Sequence, residues 1–139
     1  MIKLTDEMKE RINKAFTDKK PCVWATAGKD GVPSISFKGS TMVWDDEHLA
    51  IWERAHQSGE KNMFENPNVV MLYADLPGRV GWRFYGKATI YRDGAIRQQI
   101  MDRTIKDELD RDPERKGYGV LVRVDKIRRY SGDEIIQER

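Results

Sequence analysis

Three observations on the sequence predict a mainly β fold, a closed or partly closed antiparallel barrel with flanking helices. Six segments rich in β-branched and aromatic residues follow one another along the chain. Most of them are joined by turns too short for the crossover that a parallel pair of strands requires. Several are long and interrupted by glycine, and closing such a sheet removes the exposed edges that an open sheet would present. The 139 residues are the length of one domain, spanning 1–139.

The first element is a helix predicted within residues 1–20. Its apolar stripe repeats every four residues, at Leu4, Met8, Ile12 and Phe16. Thr5 is placed to cap its first turn, and Pro21 ends it.

Six strand patterns follow the helix. They read CVWATA, VPSISFKGSTMVW, HLAIWE, VVMLYA, VGWRFYGKATIYR and YGVLVRVDKIRRYS. Gly39 interrupts the second pattern, which indicates a bulge or the close approach of another group to the backbone. Two further helices are predicted, a short one from Ser58 to about Asn66 and a longer one over residues 94–110.

Composition excludes several classes of function. The 25 basic and 23 acidic residues are scattered, so binding to nucleic acid or to an acidic membrane surface is not expected. Cys22 has no partner for a disulfide, and the two histidines, His48 and His56, have no metal-ligand spacing, so no metal site is expected. No apolar run is long enough for a signal peptide or a membrane span, and we expect a cytoplasmic location.

One stretch, ERAHQSGEKNMFENP, collects groups that can bind an anion. The helix predicted from Ser58 supplies unpaired N–H groups and a partial positive charge, and Arg54 and Lys61 add two cations. A purely structural interpretation is also open, in which Ser58 is an ordinary N-cap and Glu60 interacts with the helix dipole.

Aromatic residues form a second group on the predicted strands. They are Trp44, Trp52 and Trp82, with Phe37 and Tyr85 near them. Each can simply fill the core of a barrel, or together they can line a pocket for a flat ring system.

In this order and spacing, four motifs resemble the FMN-binding split-barrel family typified by pyridoxamine 5'-phosphate oxidase. The motifs are VWATAGKDGVPSISFKGS, DDEHLAIWE, NMFENPNVVMLYAD and GWRFYGKATIYRDG. The resemblance implies a six-stranded antiparallel split β-barrel that forms a homodimer, with two FMN molecules at the subunit interface.

The resemblance also implies a set of cofactor-binding residues. Those along the flavin ring would be Ser36, Phe37, Lys38 and Gly39, with Trp52 and Glu53 at the end of a neighbouring strand. Those around the phosphate would be Gln57, Ser58, Gly59 and Lys61, with Arg54 as a further cation. Trp82 and Arg83 would reach the flavin from the partner subunit. Ser58 and Gly59 stand where many members carry stronger phosphate ligands, so phosphate binding would depend on Lys61 or Arg54.

The function expected from this resemblance is that of an FMN-dependent oxidoreductase acting on a small-molecule redox substrate. Oxidation of pyridoxamine 5'-phosphate itself is not expected, because the sequence lacks the Arg-x-His substrate motif of those enzymes and has no histidine after His56. The alternatives are a non-catalytic protein that binds flavin, deazaflavin or heme on the same barrel, and an empty barrel that serves only as an interaction dimer.

Overall fold

The computed structural model describes all residues from Met1 to Arg139 as four helices and eight strands. The helices are α1 (Asp6–Asn13), α2 (Ser58–Glu65), α3 (Gly94–Arg103) and α4 (Lys106–Leu109). The strands are β1 (Val23–Ala27), β2 (Pro33–Phe37), β3 (Met42–Val43), β4 (His48–Glu53), β5 (Asn68–Asp75), β6 (Val80–Tyr91), β7 (Tyr118–Arg129) and β8 (Ile135–Glu138).

All eight strands belong to one antiparallel sheet with the order β2-β1-β5-β6-β7-β4-β3, and β8 pairs with the end of β7. The strands at the two ends of this order, β2 and β3, are neighbours in sequence and are separated only by residues 38–41. Four residues span at most about 14 Å, so the sheet must curl until its two ends meet. This curled sheet is the predicted split barrel.

The interior of the curled sheet is filled by one cluster of 21 buried hydrophobic residues. Its largest members include Trp24 on β1, Tyr73 on β5, and Trp82 and Phe84 on β6. Helix α1 closes one side of the barrel, because its residues Met8 and Ile12 belong to the same cluster. Thr5 caps this helix as predicted, and its hydroxyl accepts a hydrogen bond of 3.2 Å from the N–H of Met8.

The second predicted strand differs most from the structure. It is not continuous: β2 and β3 lie at opposite ends of the sheet, and residues 38–41 turn between them. The backbone at Gly39 is approached closely, as its sequence position suggested, because an added Cβ would lie 2.3 Å from Glu108 Oε1 and 2.9 Å from Phe16 Cδ2. The other five predicted strands correspond to β1, β4, β5, β6 and β7, and β8 was not predicted.

The helices are shorter than the sequence suggested. Helix α1 stops at Asn13 rather than continuing toward residue 20, because Lys14 leaves helical geometry and Lys19 adopts a positive φ of 59°. The helix predicted over 94–110 is two helices, separated where Thr104 becomes extended and its hydroxyl donates to the carbonyl of Ile100. Helix α2 begins at Ser58 with Gln57, not Ser58, in the N-cap position, and it ends at Glu65.

Strand β2 forms a free edge that carries large exposed apolar side chains. Ile35 is 73% exposed and Phe37 is 70% exposed, and Val32, just before the strand, is also exposed. Hydrophobic residues on an unpaired edge mark a surface that tends to associate with another chain.

None of the four helices has both the length and the hydropathy that a membrane-crossing helix needs.

Gly86 lies at the irregularity in the pairing of the two longest strands, β6 and β7. A Cβ there would lie 2.2 Å from the carbonyl oxygen of Arg123, a backbone atom that cannot move without disturbing the sheet. We expect Gly86→Ala to lower the free energy of unfolding by about 2 kcal/mol, measured by urea denaturation. Gly59→Ala is the matched control, since its Cβ would meet nothing within 4 Å. Equal stability of the two variants would contradict this packing.

Candidate functional site

A cavity of about 390 Å³ lies where the barrel is split, between β2, the turn after it, the end of β4 and the beginning of α2. Most of the residues that the sequence predicted for cofactor binding line it: Ser36, Phe37, Lys38, Trp52, Arg54, Gln57, Ser58 and Gly59. The fold therefore brings together residues from three separate segments of the chain. The volume lies within the range of small-molecule sites in proteins, about 300–1,000 Å³.

The hydroxyl of Ser40 fixes the turn between β2 and β3 to the end of β4. It donates to the carbonyl of Trp52 over 3.1 Å and accepts from the N–H of the same residue over 3.0 Å. The adjacent Thr41 hydroxyl donates to the carbonyl of Lys38 and accepts from Trp24 Nε1 in the barrel core. These bonds hold the floor of the cavity in one position relative to the core.

Trp52 lines the cavity although it is only 2% exposed. Its indole Nε1 donates a 3.0 Å hydrogen bond to Asp112 Oδ2, and the guanidinium of Arg97 lies 4.9 Å from the ring centroid. The carboxylate of Asp112 also accepts from the backbone N–H groups of Lys116 and Gly117. These contacts fix the orientation of the indole, which is almost completely covered by protein atoms in the single chain.

The pKa of Asp112 is set by two opposing effects. Burial raises the pKa, but the hydrogen bonds from Lys116, Gly117 and Trp52 favour the carboxylate and outweigh burial. The pKa of Asp112 therefore lies below its ordinary value.

The first turn of α2 faces the cavity with unsatisfied donors. Ser58 and Gly59 line the cavity, and no side chain caps the helix. The N–H groups of Ser58 and Gly59 donate to no backbone carbonyl, and a Cβ at Gly59 would meet nothing within 4 Å. Free N–H groups at a helix N-terminus favour an anion.

The charges around the cavity form two ion pairs of different kinds. Lys38 Nζ lies 2.8 Å from Glu53 Oε2, and the Glu53 side chain is only 2% exposed. This contact is an ion pair without hydrogen-bond alignment, and Glu53 Oε1 accepts from the N–H of Ala55. Arg54 Nε lies 3.4 Å from Glu108 Oε2, and the Arg54 side chain is 36% exposed. Arg54 is thus the more accessible cation of the two.

His56 fixes the loop between β4 and α2. Its Nδ1 lies 2.8 Å from Glu60 Oε1 and its Nε2 lies 2.9 Å from the carbonyl of Lys116, while its own backbone has a positive φ of 50°. Burial lowers the pKa of His56, but these two acceptors favour the charged ring and raise the pKa above its ordinary value. The Glu60 carboxylate is thereby directed at His56 and does not line the cavity.

Five predicted residues do not line this cavity. Lys61 is 75% exposed and lies 3.6 Å from Glu65, on a different side of α2 from the cavity lining. Gly39 and Glu53 lie behind the cavity wall, next to Glu108 and Lys38 respectively.

The remaining two, Trp82 and Arg83, lie on β6. The indole of Trp82 packs on Tyr73 in the barrel core, with ring centroids 6.0 Å apart. The guanidinium of Arg83 donates to the carbonyls of Arg129 and Gly132. Their assignment to the flavin site of a partner subunit remains a prediction.

Five cavity-lining residues were not predicted from the sequence: Ser34, Ile35, Ser40, Ala55 and Glu108. Ser40 is the last residue of the motif VWATAGKDGVPSISFKGS, but its position next to Trp52 depends on the turn after β2. Glu108 reaches the site from α4, 54 residues after its partner Arg54. No local pattern around Glu108 signals this contact.

A larger cavity of about 660 Å³ lies on another part of the sheet, among β1, β5, β6 and β7. Its lining includes Tyr85, Arg123 and Lys126, and none of the predicted cofactor-binding residues. We regard the smaller cavity as the candidate site, because only there do unpaired N–H groups, an accessible arginine and an aromatic wall converge.

The chain matches a known protein family over most of its length. The family model described as pyridoxamine 5'-phosphate oxidase matches residues 4–128. An uncharacterised protein of Methanocaldococcus jannaschii is 28% identical over 116 residues, which cover 78% of this chain and 72% of that protein.

Two crystal structures share the fold. HupZ of Group A Streptococcus has a TM-score of 0.75 at 23% identity, covering 96% of this chain and 98% of that chain. An FMN-binding protein of Syntrophomonas wolfei has a TM-score of 0.71 at 16% identity, covering 92% and 89% respectively. At this level of identity the similarity concerns the fold, and it confirms the split barrel.

The hydrogen bonds to Asp112 allow a prediction about stability and pH. We expect Asp112→Asn to lower the free energy of unfolding by about 2 kcal/mol at neutral pH, because hydrogen bonds to a charged acceptor are lost. Since the pKa of Asp112 is lowered in the folded protein, its contribution is present above the ordinary pKa of 3.8 and is lost as the pH falls through the folded value.

Urea denaturation of both proteins between pH 7 and pH 2 would measure this difference. The two curves should converge toward the acid end. A difference that is independent of pH would show that the charge of Asp112 does not hold Trp52.

Proposed function

The chain belongs to the pyridoxamine 5'-phosphate oxidase family, and from this premise and the geometry of the cavity we propose that it is a homodimeric FMN-dependent oxidoreductase. The observation that carries the proposal is the convergence of Arg54, the first turn of α2 and Trp52 on one cavity at the split of the barrel.

The polar end of the cavity fits a phosphate monoester. Ser58 and Gly59 offer backbone N–H groups without backbone acceptors, and Arg54 offers a guanidinium that forms one hydrogen bond within the chain. The phosphate of FMN is anionic at neutral pH, and such donors bind phosphate strongly. These three residues would hold the phosphate.

The other part of the lining fits a flat ring system. Ile35 and Phe37 on β2 supply apolar surface that is exposed in the single chain, and the almost completely buried Trp52 closes part of the wall. Lys38 would supply a charged donor beside the ring, held in place by Glu53. When bound, FMN would supply the hydride or electron transfer chemistry that protein side chains lack.

A second copy of the chain would complete the site. The exposed Ile35 and Phe37 lie on a free strand edge and also line the cavity. Burying them against a partner would remove the edge from solvent and exclude water from one side of the cavity. This supports the proposed dimer with the flavin at its interface.

The cavity fits flavins better than heme. None of its lining residues is a histidine, cysteine, methionine or tyrosine, which are the usual axial ligands of heme iron. A deazaflavin with an anionic tail would use the same donors, and identification of the bound chromophore distinguishes it from FMN.

The two cations beside α2 give a matched test of the proposal. We expect Arg54→Ala to weaken FMN binding at least tenfold, because Arg54 lines the cavity and a charged hydrogen bond contributes about 1.5–3 kcal/mol. Lys61→Ala should leave the affinity within about twofold, because Lys61 pairs with Glu65 outside the cavity. Quenching of flavin fluorescence on titration would give both dissociation constants.

Riboflavin, which lacks the phosphate, is the control ligand. Its affinity should be the same for the wild type and for Arg54→Ala. If Arg54→Ala bound FMN as tightly as the wild type, the phosphate would lie elsewhere and the assignment of this cavity would be wrong.

A further inference from the structure

Glu108 is a buried carboxylate that lines the candidate site and has no counterpart in the sequence-based prediction. Helix α4 places it in the cavity wall, where the residue is only 7% exposed. Its Oε1 lies against the backbone of Gly39, at a position where any other residue would place a Cβ only 2.3 Å away. The glycine therefore makes room for the carboxylate.

The only polar side-chain contact of Glu108 is with Arg54. The distance between Arg54 Nε and Glu108 Oε2 is 3.4 Å, which is long for a hydrogen bond between charged groups. A guanidinium has five N–H donors, and the other four of Arg54 form no hydrogen bond within the chain. This ion pair is weak enough to be rearranged by a stronger anion.

The second ion pair, between Lys38 and Glu53, is less accessible to a ligand. The Glu53 carboxylate is almost completely buried, and Lys38 Nζ lies 2.8 Å from it. The Lys38 side chain is only 17% exposed, whereas that of Arg54 is 36% exposed and can offer its other N–H groups to a ligand while Nε stays beside Glu108. Arg54 is therefore the cation that can bind an anionic ligand. Within the chain, it is paired with Glu108.

We propose that Glu108 is a specificity-determining residue that competes with the ligand phosphate for Arg54 and so keeps the bound flavin mononucleotide exchangeable. The inference rests on the proposed function. Two anions would share one guanidinium, and the repulsion between them lowers the affinity for a phosphorylated ligand without affecting an unphosphorylated one. The site would thus hold its flavin less tightly than a cavity with an unpaired arginine.

The substitution Glu108→Gln tests this competition. Glutamine keeps the shape and an acceptor for Arg54 Nε but removes the charge. We expect Glu108→Gln to bind FMN about fivefold more tightly than the wild type and to release it more slowly, with an unchanged affinity for riboflavin. Titration by flavin fluorescence and stopped-flow release of FMN would measure these quantities on the full chain.

Two control variants separate competition from a general effect of charge. Glu60→Gln removes a carboxylate of similar exposure, 12% against 10% for the side chain of Glu108, but Glu60 faces His56 and not Arg54. It should change FMN affinity much less than Glu108→Gln does. Glu108→Asp keeps the charge and should not tighten FMN binding, whereas a merely structural role would make both substitutions at position 108 weaken it.

The outcomes distinguish this inference from the proposed function. Unchanged or weaker FMN binding by Glu108→Gln, with a wild type that binds FMN through Arg54, would overturn the competition and leave the proposed function standing. An equal effect of Glu60→Gln would also overturn it. Failure of the wild type and of every variant to bind either FMN or riboflavin would overturn both.

Discussion

The structure depends on one constraint, the four-residue connection between strands that lie at opposite ends of the sheet. Because β2 and β3 are joined by residues 38–41, an eight-stranded sheet must curl until its ends meet. The hydroxyls of Ser40 and Thr41 then bind the turn to β4 and to the barrel core. The candidate site lies at this split because β2, the end of β4 and the start of α2 meet only there.

The electrostatics of the site follow from the same arrangement. The cavity wall contains two cations and one carboxylate, Glu108, and a second carboxylate, Glu53, lies behind the wall. Backbone geometry places both carboxylates: Glu53 ends β4, and Glu108 fits against Gly39. The pair of Lys38 and Glu53 is the more buried one, and Arg54 keeps four N–H groups without an acceptor in the chain beside its contact with Glu108. A site built in this way can accept an anionic ligand without carrying a permanent excess of positive charge.

Features set by local sequence were predictable, and features set by contacts between distant residues were not. The stripe of Met8 and Ile12 and the Thr5 cap follow from spacing along one helix, and the strand patterns follow from alternation. The division between β2 and β3 was missed because the turn between them is held by hydrogen bonds from Ser40 to Trp52 and from Trp24 to Thr41, which join residues distant in sequence.

The candidate site was likewise predicted only in part. Motif order identified most of the lining residues, and the family that it indicated is confirmed by the match of the family model over residues 4–128. The sequence does indicate that the Lys61 side chain pairs with Glu65 instead of entering the cavity. Glu65 follows four residues later on the same helix, which is the spacing of an ion pair. The exposure of Ile35 and Phe37 could not have been predicted from the sequence. Alternation assigns residues to one face of a strand but does not show what covers that face. The most direct test of a flavin site at the split of the barrel is the visible absorption spectrum of the purified protein, with mass spectrometry of the compound released by heat. Flavin absorption bands and release of FMN are the expected result. A colourless protein that takes up no added FMN, or a chromophore with the spectrum of heme, would contradict it.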